Sequence, residues 1–321
     1  MKGRVPRALR FAIACAIPLI AINCRHADSS VPARPVVHVT LVTGPTGGGS
    51  FPLGQEIAEA INTGLTDVEI QTMVSAGAVS NIRAIQEDKA DLALTFADVA
   101  YLSFNGQLTP RDLPFDQVRG IAVLQVTPVA LVVRPGLHVR GPQDLRGRRV
   151  GVGPEGSGTA VTASLVLQAY GLDEHDVHTE SMGFQEGTTK LLNGELDAMF
   201  DNAIIRSAAL ERAADGGARF VPIEGPAADR LRREYPFLRV TVIAPELYGT
   251  SVRTIGVDGL LICRSDLDEE LVYRLTKQLF ASMKTLGRGA LRSMDVKQAP
   301  ATPVPLHPGA ARYYRERELS R

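Results

Sequence analysis

The sequence predicts an α/β fold of two lobes, each a wound sheet flanked by helices, with a ligand cleft between them. Strand-like apolar runs alternate with helical stripes from residue 36 onwards. A glycine-dense loop follows the first strand at residues 44–51, and a second one at residues 151–159 opens another such unit. Because the loops of a wound sheet gather at the carboxyl ends of its strands, we expect both glycine loops at the cleft.

The first unit alternates strands and helices in a regular order. An apolar strand covers residues 36–42, and strands at residues 68–74 and 90–94 follow it. The helix after the glycine loop carries an apolar residue at every fourth position: Leu53, Ile57, Ile61 and Leu65. This spacing is typical of a helix that packs one face on a sheet.

Landmarks of the first unit recur in the second. Ser181-Met182-Gly183 lies 106 residues after Ser75-Ala76-Gly77, and residues 196–200 lie 106 residues after residues 90–94. These recurrences predict two lobes of similar plan. Consecutive strands at residues 121–124 and 129–133 predict the first crossing between them, and strands at 238–243 and 255–263 predict the return. Lobe I is then residues 36–124 and 245–321, and lobe II is residues 125–244.

Two helical segments are predicted in the last part of the chain. Residues 206–233 are charged and in part rich in alanine, which favours helix, with a loop at Asp215-Gly216-Gly217. Asp266, with Glu269 three residues later, predicts the capped start of a long amphipathic helix.

The first 24 residues are typical of a secretory signal. Four basic residues precede a run of about a dozen apolar residues, which is too short to span a bilayer comfortably. Residues 21–24 resemble a lipobox that ends in the lipid-modified Cys24, although Asn23 departs from the pattern; cleavage near Ala27 is the alternative. Residues 25–35 suit a flexible tether. We therefore expect an exported, periplasmic protein whose only membrane contact is a lipid anchor, if one is present.

Charge and cysteine content narrow the function classes. Removing the four basic residues of the signal from the 35 in the chain leaves 31, against 35 acidic residues. This balance argues against nucleic acid as a partner. Cys263 is the only cysteine after residue 24, so the body has no pair for a disulfide, and its apolar neighbours predict burial.

No catalytic or metal-binding arrangement is legible. The histidines lack the four-residue spacing of a helical zinc site, and no hydrolase serine motif is present. Residues 151–156 spell Gly-x-Gly-x-x-Gly, but Pro154 and Glu155 stand where a phosphate needs free, positive surroundings. We expect no enzyme, no metal and no cofactor.

The glycine loops and strand ends supply the candidate ligand-binding residues. Bare backbone N–H groups at a helix N-terminus suit a carboxylate, and polar residues directly after apolar strands suit a ligand. Helix capping is the alternative for each serine, for Asp98 and for Asp201-Asn202. The predicted set is Gly48, Gly49, Ser50, Phe51, Ser75, Gly77, Asn81, Phe96, Asp98, Gly156, Ser157, Thr159, Asp201 and Asn202.

Three segments in order, residues 44–54, 144–159 and 305–310, resemble the TAXI family of receptors. Members of this family are extracytoplasmic solute receptors of tripartite ATP-independent periplasmic (TRAP) transporters. The resemblance implies a two-lobed periplasmic binding fold that closes on a small carboxylate or amino acid and delivers it to TRAP permease subunits. We expect a monomer.

The sequence departs from the family pattern at the cleft. Ser50-Phe51 replaces a tyrosine pair, Phe96-Ala97-Asp98 replaces Gln-Ser-Asp, and Asp201-Asn202 stands where Ala-Gly is usual. An added carboxylate repels a dianion. We therefore expect a ligand other than glutamate, either more apolar or carrying an amine that meets Asp201. The alternatives are an ABC-type binding receptor, and a periplasmic enzyme or stand-alone sensor that reuses the fold.

Overall fold

The computed structural model describes residues 35–46, 48–109, 113–202, 206–283, 291 and 294–319. The predicted signal, Cys24 and nearly all of the predicted tether lie outside these residues. Within the described residues, no helix is both long enough and apolar enough to cross a membrane.

The first unit has the order that the sequence predicts. Its elements are β1 (Val37–Val42), α1 (Ser50–Gly64), β2 (Val68–Met73), α2 (Ala78–Gln86), β3 (Leu92–Phe96) and α3 (Ala97–Phe104). Apolar residues of the predicted stripe, Leu53, Ile57 and Ile61, are buried on α1. They form one cluster with residues of β1 and of a later helix, so burial of this face fixes α1 on the sheet.

The rest of the chain adds a second unit and two long strands. Its elements are β4 (Val118–Val133), a 3-10 turn (Pro142–Leu145), β5 (Arg149–Gly151), α4 (Gly158–Ala169), β6 (His178–Glu180), α5 (Phe184–Asn193), β7 (Ala198–Asn202), α6 (Ala208–Asp215), β8 (Arg219–Val221), α7 (Pro226–Glu234), β9 (Leu238–Ile243), α8 (Pro245–Tyr248), β10 (Val252–Arg264), α9 (Glu269–Ser282) and α10 (Pro308–Leu319).

The strands run in the order β2-β1-β3-β10-β4-β7-β5-β6, with β8 on β4 and β9 on β10. β1 lies between β2 and β3 and is parallel to both, and β5 lies between β6 and β7 in the same way. The two units therefore share one strand order, as the 106-residue recurrence predicts. The lobe boundaries at residues 124 and 244 stay a prediction.

Three predictions about the elements are wrong in detail. The two strands expected at residues 121–124 and 129–133 are one strand, β4, because residues 125–128 stay extended and pair with β10 despite Pro128. The helical stretch expected over residues 206–233, with a loop at residues 215–217, also contains the strand β8, which pairs with β4. The N-cap of α9 is Asp268, whose carboxylate accepts the Leu271 amide at 2.8 Å, while Asp266 pairs with Arg264.

Candidate functional site

A cleft of about 310 Å³ opens where the loops of the two units meet. We call its two sides the first wall and the second wall. The first wall consists of Pro45, Thr46, Gly48, Gly49, Ser50, Phe51, Pro52, Ala76, Gly77, Ala78 and Phe96. The second wall consists of Ser157, Gly158, Thr159, Phe184, Asp201, Asn202, Arg206, Ser207 and Ala208.

The first wall presents the start of α1 without a side-chain cap. Gly49 is the N-cap residue and has no side chain to accept the first amides of the helix. Within the described residues, the Ser50 hydroxyl also makes no hydrogen bond to the helix. The first wall therefore offers backbone N–H groups and the positive end of a helix dipole.

The second wall presents a helix start that is already capped. The Ser157 hydroxyl accepts a hydrogen bond from the backbone N–H of Ala160 at 3.4 Å. The Thr159 hydroxyl accepts one from the backbone N–H of Asn202 at 3.3 Å. Gly158 lets this helix start approach the first wall, because a Cβ there would lie 2.3 Å from the ring of Phe96. The two walls thus touch beneath the cleft.

Asp201 is a buried carboxyl group at the end of β7. It is 3% exposed, and one of its oxygens accepts a hydrogen bond from the Ser207 hydroxyl at 2.9 Å. Ser207 in turn caps α6, and its amide donates to the Tyr248 hydroxyl. Loss of hydration raises the pKa of Asp201 to about 7, and the Ser207 hydrogen bond opposes that shift.

Asn202 is a buried amide side chain at the end of β7. The residue is 7% exposed, and its amide nitrogen donates to the Thr162 hydroxyl at 2.7 Å. Its amide oxygen, Oδ1, has no hydrogen-bond partner among the described residues. Since a buried acceptor is normally paired, this oxygen suits a donor that enters the cleft.

The structure brings ten of the fourteen predicted residues to the cleft lining. They are Gly48, Gly49, Ser50, Phe51, Gly77, Phe96, Ser157, Thr159, Asp201 and Asn202. That they bind a ligand stays a prediction.

Four predicted residues lie outside the lining and hold the loops together. Ser75 and Asn81 hydrogen-bond each other at 2.5 Å, and Asn81 also donates to the Leu94 carbonyl at 2.6 Å. The Gly156 carbonyl accepts two amides at the start of α2, Val79 and Ser80. Asp98 is fully buried and accepts the Thr162 hydroxyl. Sequence position after a strand did not distinguish these inward-facing groups from the cleft-facing ones.

Sequence reasoning missed three polar or aromatic residues of the second wall. Arg206 lines the cleft, is more than half exposed and pairs with Glu211. Ser207 was detectable as a serine directly before an alanine-rich helix, which is a capping pattern. Phe184 carries no such signal, because its place beside the cleft depends on how α5 packs.

Within the described part of the chain, neither a metal site nor a larger groove offers a better candidate than this cleft. Among the described residues, no group of three or more His, Cys, Asp and Glu side chains lies together to hold a metal ion. A groove of about 870 Å³ between α4 and α7 is larger, but it contains none of the predicted residues. The smaller cleft is the candidate site because its buried carboxyl, its unpaired acceptor and its open helix start converge.

A model of the NMT1-like family matches residues 41–317, which is most of the chain. The chain belongs to the NMT1-like family. This match covers both walls of the cleft. That the chain is a TAXI receptor, as its sequence motifs suggest by resemblance, stays a prediction.

Solved structures show which fold this family member adopts. A periplasmic transporter aligns with a TM-score of 0.54 at 14% identity, over 90% of this chain and 94% of that chain. An ancestral arginine-binding protein bound to arginine aligns with a TM-score of 0.51 at 17% identity, over 81% and 97%. A protein assigned as an L-cystine ABC transporter of Listeria monocytogenes aligns with a TM-score of 0.50 at 12% identity, over 83% and 97%. The predicted two-lobed periplasmic binding fold is therefore confirmed.

Proposed function

We propose that this protein is an exported solute-binding receptor, which holds a small organic solute in the cleft and presents it to a membrane transporter. One observation carries the proposal: an open helix start on the first wall faces a buried carboxyl and an unpaired acceptor on the second. A volume of about 310 Å³ suits a small ligand. Membership of the family and the binding-protein fold support a receptor over an enzyme.

The polarity of the walls favours a ligand with an anionic and a cationic end. The N–H groups of α1 attract a carboxylate. Asp201 attracts an amine, because its buried charge lacks a cationic partner in its described surroundings and a ligand ammonium would supply one. An amino-acid-like solute satisfies both walls, whereas a dicarboxylate leaves two negative charges beside each other.

Structural neighbours and sequence motifs point to different transporter partners. One structural neighbour is assigned as an ABC transporter, which supports the ABC-type alternative better than the TRAP-type permease implied by the sequence motifs. We therefore propose an ABC-type partner first and a TRAP-type partner second. Solute uptake by a reconstituted system tests this choice, since it depends on ATP in the first case and on an ion gradient in the second.

A thermal-shift screen of the mature protein tests the ligand class. The probes are matched pairs that differ only in the amine: L-leucine with 4-methylpentanoate, L-glutamine with 4-carbamoylbutanoate, and L-glutamate with glutarate. A ligand present at a thousand times its Kd adds about 4 kcal/mol of stability, which raises Tm measurably.

We expect at least one amine-bearing member to raise Tm well above its partner. The Asp201→Asn variant should lose that difference, because it removes the charge that meets the amine. Stabilisation by glutarate that equals or exceeds stabilisation by every amine-bearing probe would contradict the proposal.

A further inference from the structure

We infer that Asn202 selects a ligand that carries a hydrogen-bond donor, and that Thr162 and Asp98 are positioning residues that keep its amide oxygen turned to the cleft. This inference rests on the proposed receptor function. It goes beyond the charge of Asp201, because it predicts discrimination between neutral groups of the same size.

Three buried side chains form a directed chain of hydrogen bonds. Thr162 and Asp98 are both fully buried, and Asn202 is 7% exposed. The Asn202 amide nitrogen lies 2.7 Å from the Thr162 hydroxyl, which lies 2.5 Å from a carboxylate oxygen of Asp98. The other oxygen of Asp98 accepts the Val99 amide at 2.8 Å, which fixes the carboxylate in place.

The single proton of the Thr162 hydroxyl sets the direction of this chain. The Asp98 oxygen is nearer to that hydroxyl than the Gly158 carbonyl is, which lies at 3.1 Å. A carboxylate can only accept, so Thr162 donates to Asp98 and keeps its lone pairs for Asn202. Asn202 must then turn its N–H group to Thr162, and its oxygen remains toward the ligand.

These hydrogen bonds also connect the two units of the fold. Asp98 lies on α3, directly after β3, whereas Thr162 lies on α4 and Asn202 ends β7. Asp98 of the first unit therefore orients, through Thr162, the Asn202 oxygen that would accept a hydrogen bond from the ligand on the second wall. Without Thr162, the amide of Asn202 can rotate and show either its oxygen or its nitrogen to a ligand.

The test uses ligands of one carbon skeleton that differ at a single group. For each side chain of leucine, glutamine and glutamate, the probes are the 2-amino, the 2-hydroxy and the 2-oxo acid. Dissociation constants are measured by calorimetry at pH 8, where Asp98 is ionised because burial raises its pKa only to about 6. At C2 the hydroxy acid has a hydrogen-bond donor and the oxo acid has none, so the effect of Thr162→Val on the ratio of their dissociation constants reports on Asn202.

We expect wild-type protein to prefer the hydroxy acid over the oxo acid by about tenfold or more, since the oxo acid leaves the buried acceptor unpaired. Thr162→Val, which removes the hydroxyl at equal size, should bring this ratio to within about twofold of unity. Thr162→Ser keeps a hydroxyl and should retain the preference. Circular dichroism and Tm of both variants establish that they fold.

Two results separate the two proposals. If some probe binds but the hydroxy-to-oxo ratio is near unity in wild type, or is unchanged in Thr162→Val, the role of Asn202 is overturned and the receptor function stands. If no probe of the series binds the wild-type protein, the amino-acid-like ligand is overturned, and this inference with it.

Discussion

The two walls of the cleft present hydrogen-bonding groups in different ways. The first wall offers the uncapped start of α1, where Gly49 leaves backbone amides without a side-chain partner. The second wall offers side chains, and its own helix start is closed by Ser157. Although the sequence contains two similar glycine loops, the first leaves the N–H groups of its helix start open and the second precedes a helix start that is capped.

This difference shows that a repeated plan can carry complementary chemistry. Backbone N–H groups can only donate hydrogen bonds, whereas the Asp201 carboxylate and the side-chain oxygen of Asn202 accept them. A ligand with an acceptor at one end and a donor at the other is therefore held by both units at once. Such a ligand stabilises the arrangement in which the walls lie together.

The largest expected effect concerns the buried charge of the second wall. Folding raises the pKa of Asp201 from the usual 3.8 to about 7. The folded state then binds the proton more tightly than the unfolded state, so the free energy of unfolding falls as pH rises from about 4 to 7. Asp201→Asn should remove this loss, which is on the order of a few kcal/mol.

Urea unfolding of wild type and Asp201→Asn at pH 5 and pH 8 measures that difference. Asp98 also has a raised pKa, but it is present in both proteins and cancels. We expect the variant to be the more stable protein at pH 8. Identical pH dependence in the two proteins would refute a raised pKa for the buried Asp201 carboxyl.

The next effect concerns the contact between the walls. A Cβ at Gly158 would lie 2.3 Å from the buried ring of Phe96, so Gly158→Ala forces the ring or the helix start to move. We expect a loss of about 1–3 kcal/mol in unfolding free energy and weaker ligand binding. Gly183→Ala is the control, because a Cβ there meets nothing within 4 Å and its φ is −63°. Equal losses in the two variants would argue against a tight contact.

The smallest effect distinguishes the two helix starts. Ser157→Ala removes the cap of α4 and should lower the unfolding free energy by about 1 kcal/mol. Ser50→Ala removes no cap and should change it by less than about 0.5 kcal/mol. Chemical denaturation of both variants measures the comparison. A larger loss in Ser50→Ala would show that the start of α1 is capped after all.

Much of the fold could be predicted because its signals are local. The four-residue stripe of α1 and the glycine loops lie within short windows, so periodicity and turn chemistry identify them. β4 could not be predicted as one strand, because a proline such as Pro128 usually breaks a strand and the pairing of residues 125–128 with β10 is a long-range contact.

The candidate site was partly predictable for the same reason. Residues that directly follow strands were known to lie at one edge, but their side-chain directions depend on long-range partners. Asp98 and Asp201 both follow apolar strands, yet Asp98 turns to Thr162, 64 positions away, while Asp201 lines the cleft. Likewise, nothing local marks Phe184 as part of the second wall.

The most direct test of an amine at Asp201 is the number of protons exchanged on ligand binding. Calorimetry of the best-binding probe at pH 7, in buffers of different ionisation enthalpy, measures that number. Burial raises the pKa of Asp201 in the free protein to about 7, so a fraction of the protein carries a protonated Asp201 at pH 7, and pairing with an ammonium group lowers that pKa. We therefore expect a net release of protons on ligand binding. Uptake of protons would contradict it, because it would mean that a negative group lies beside Asp201.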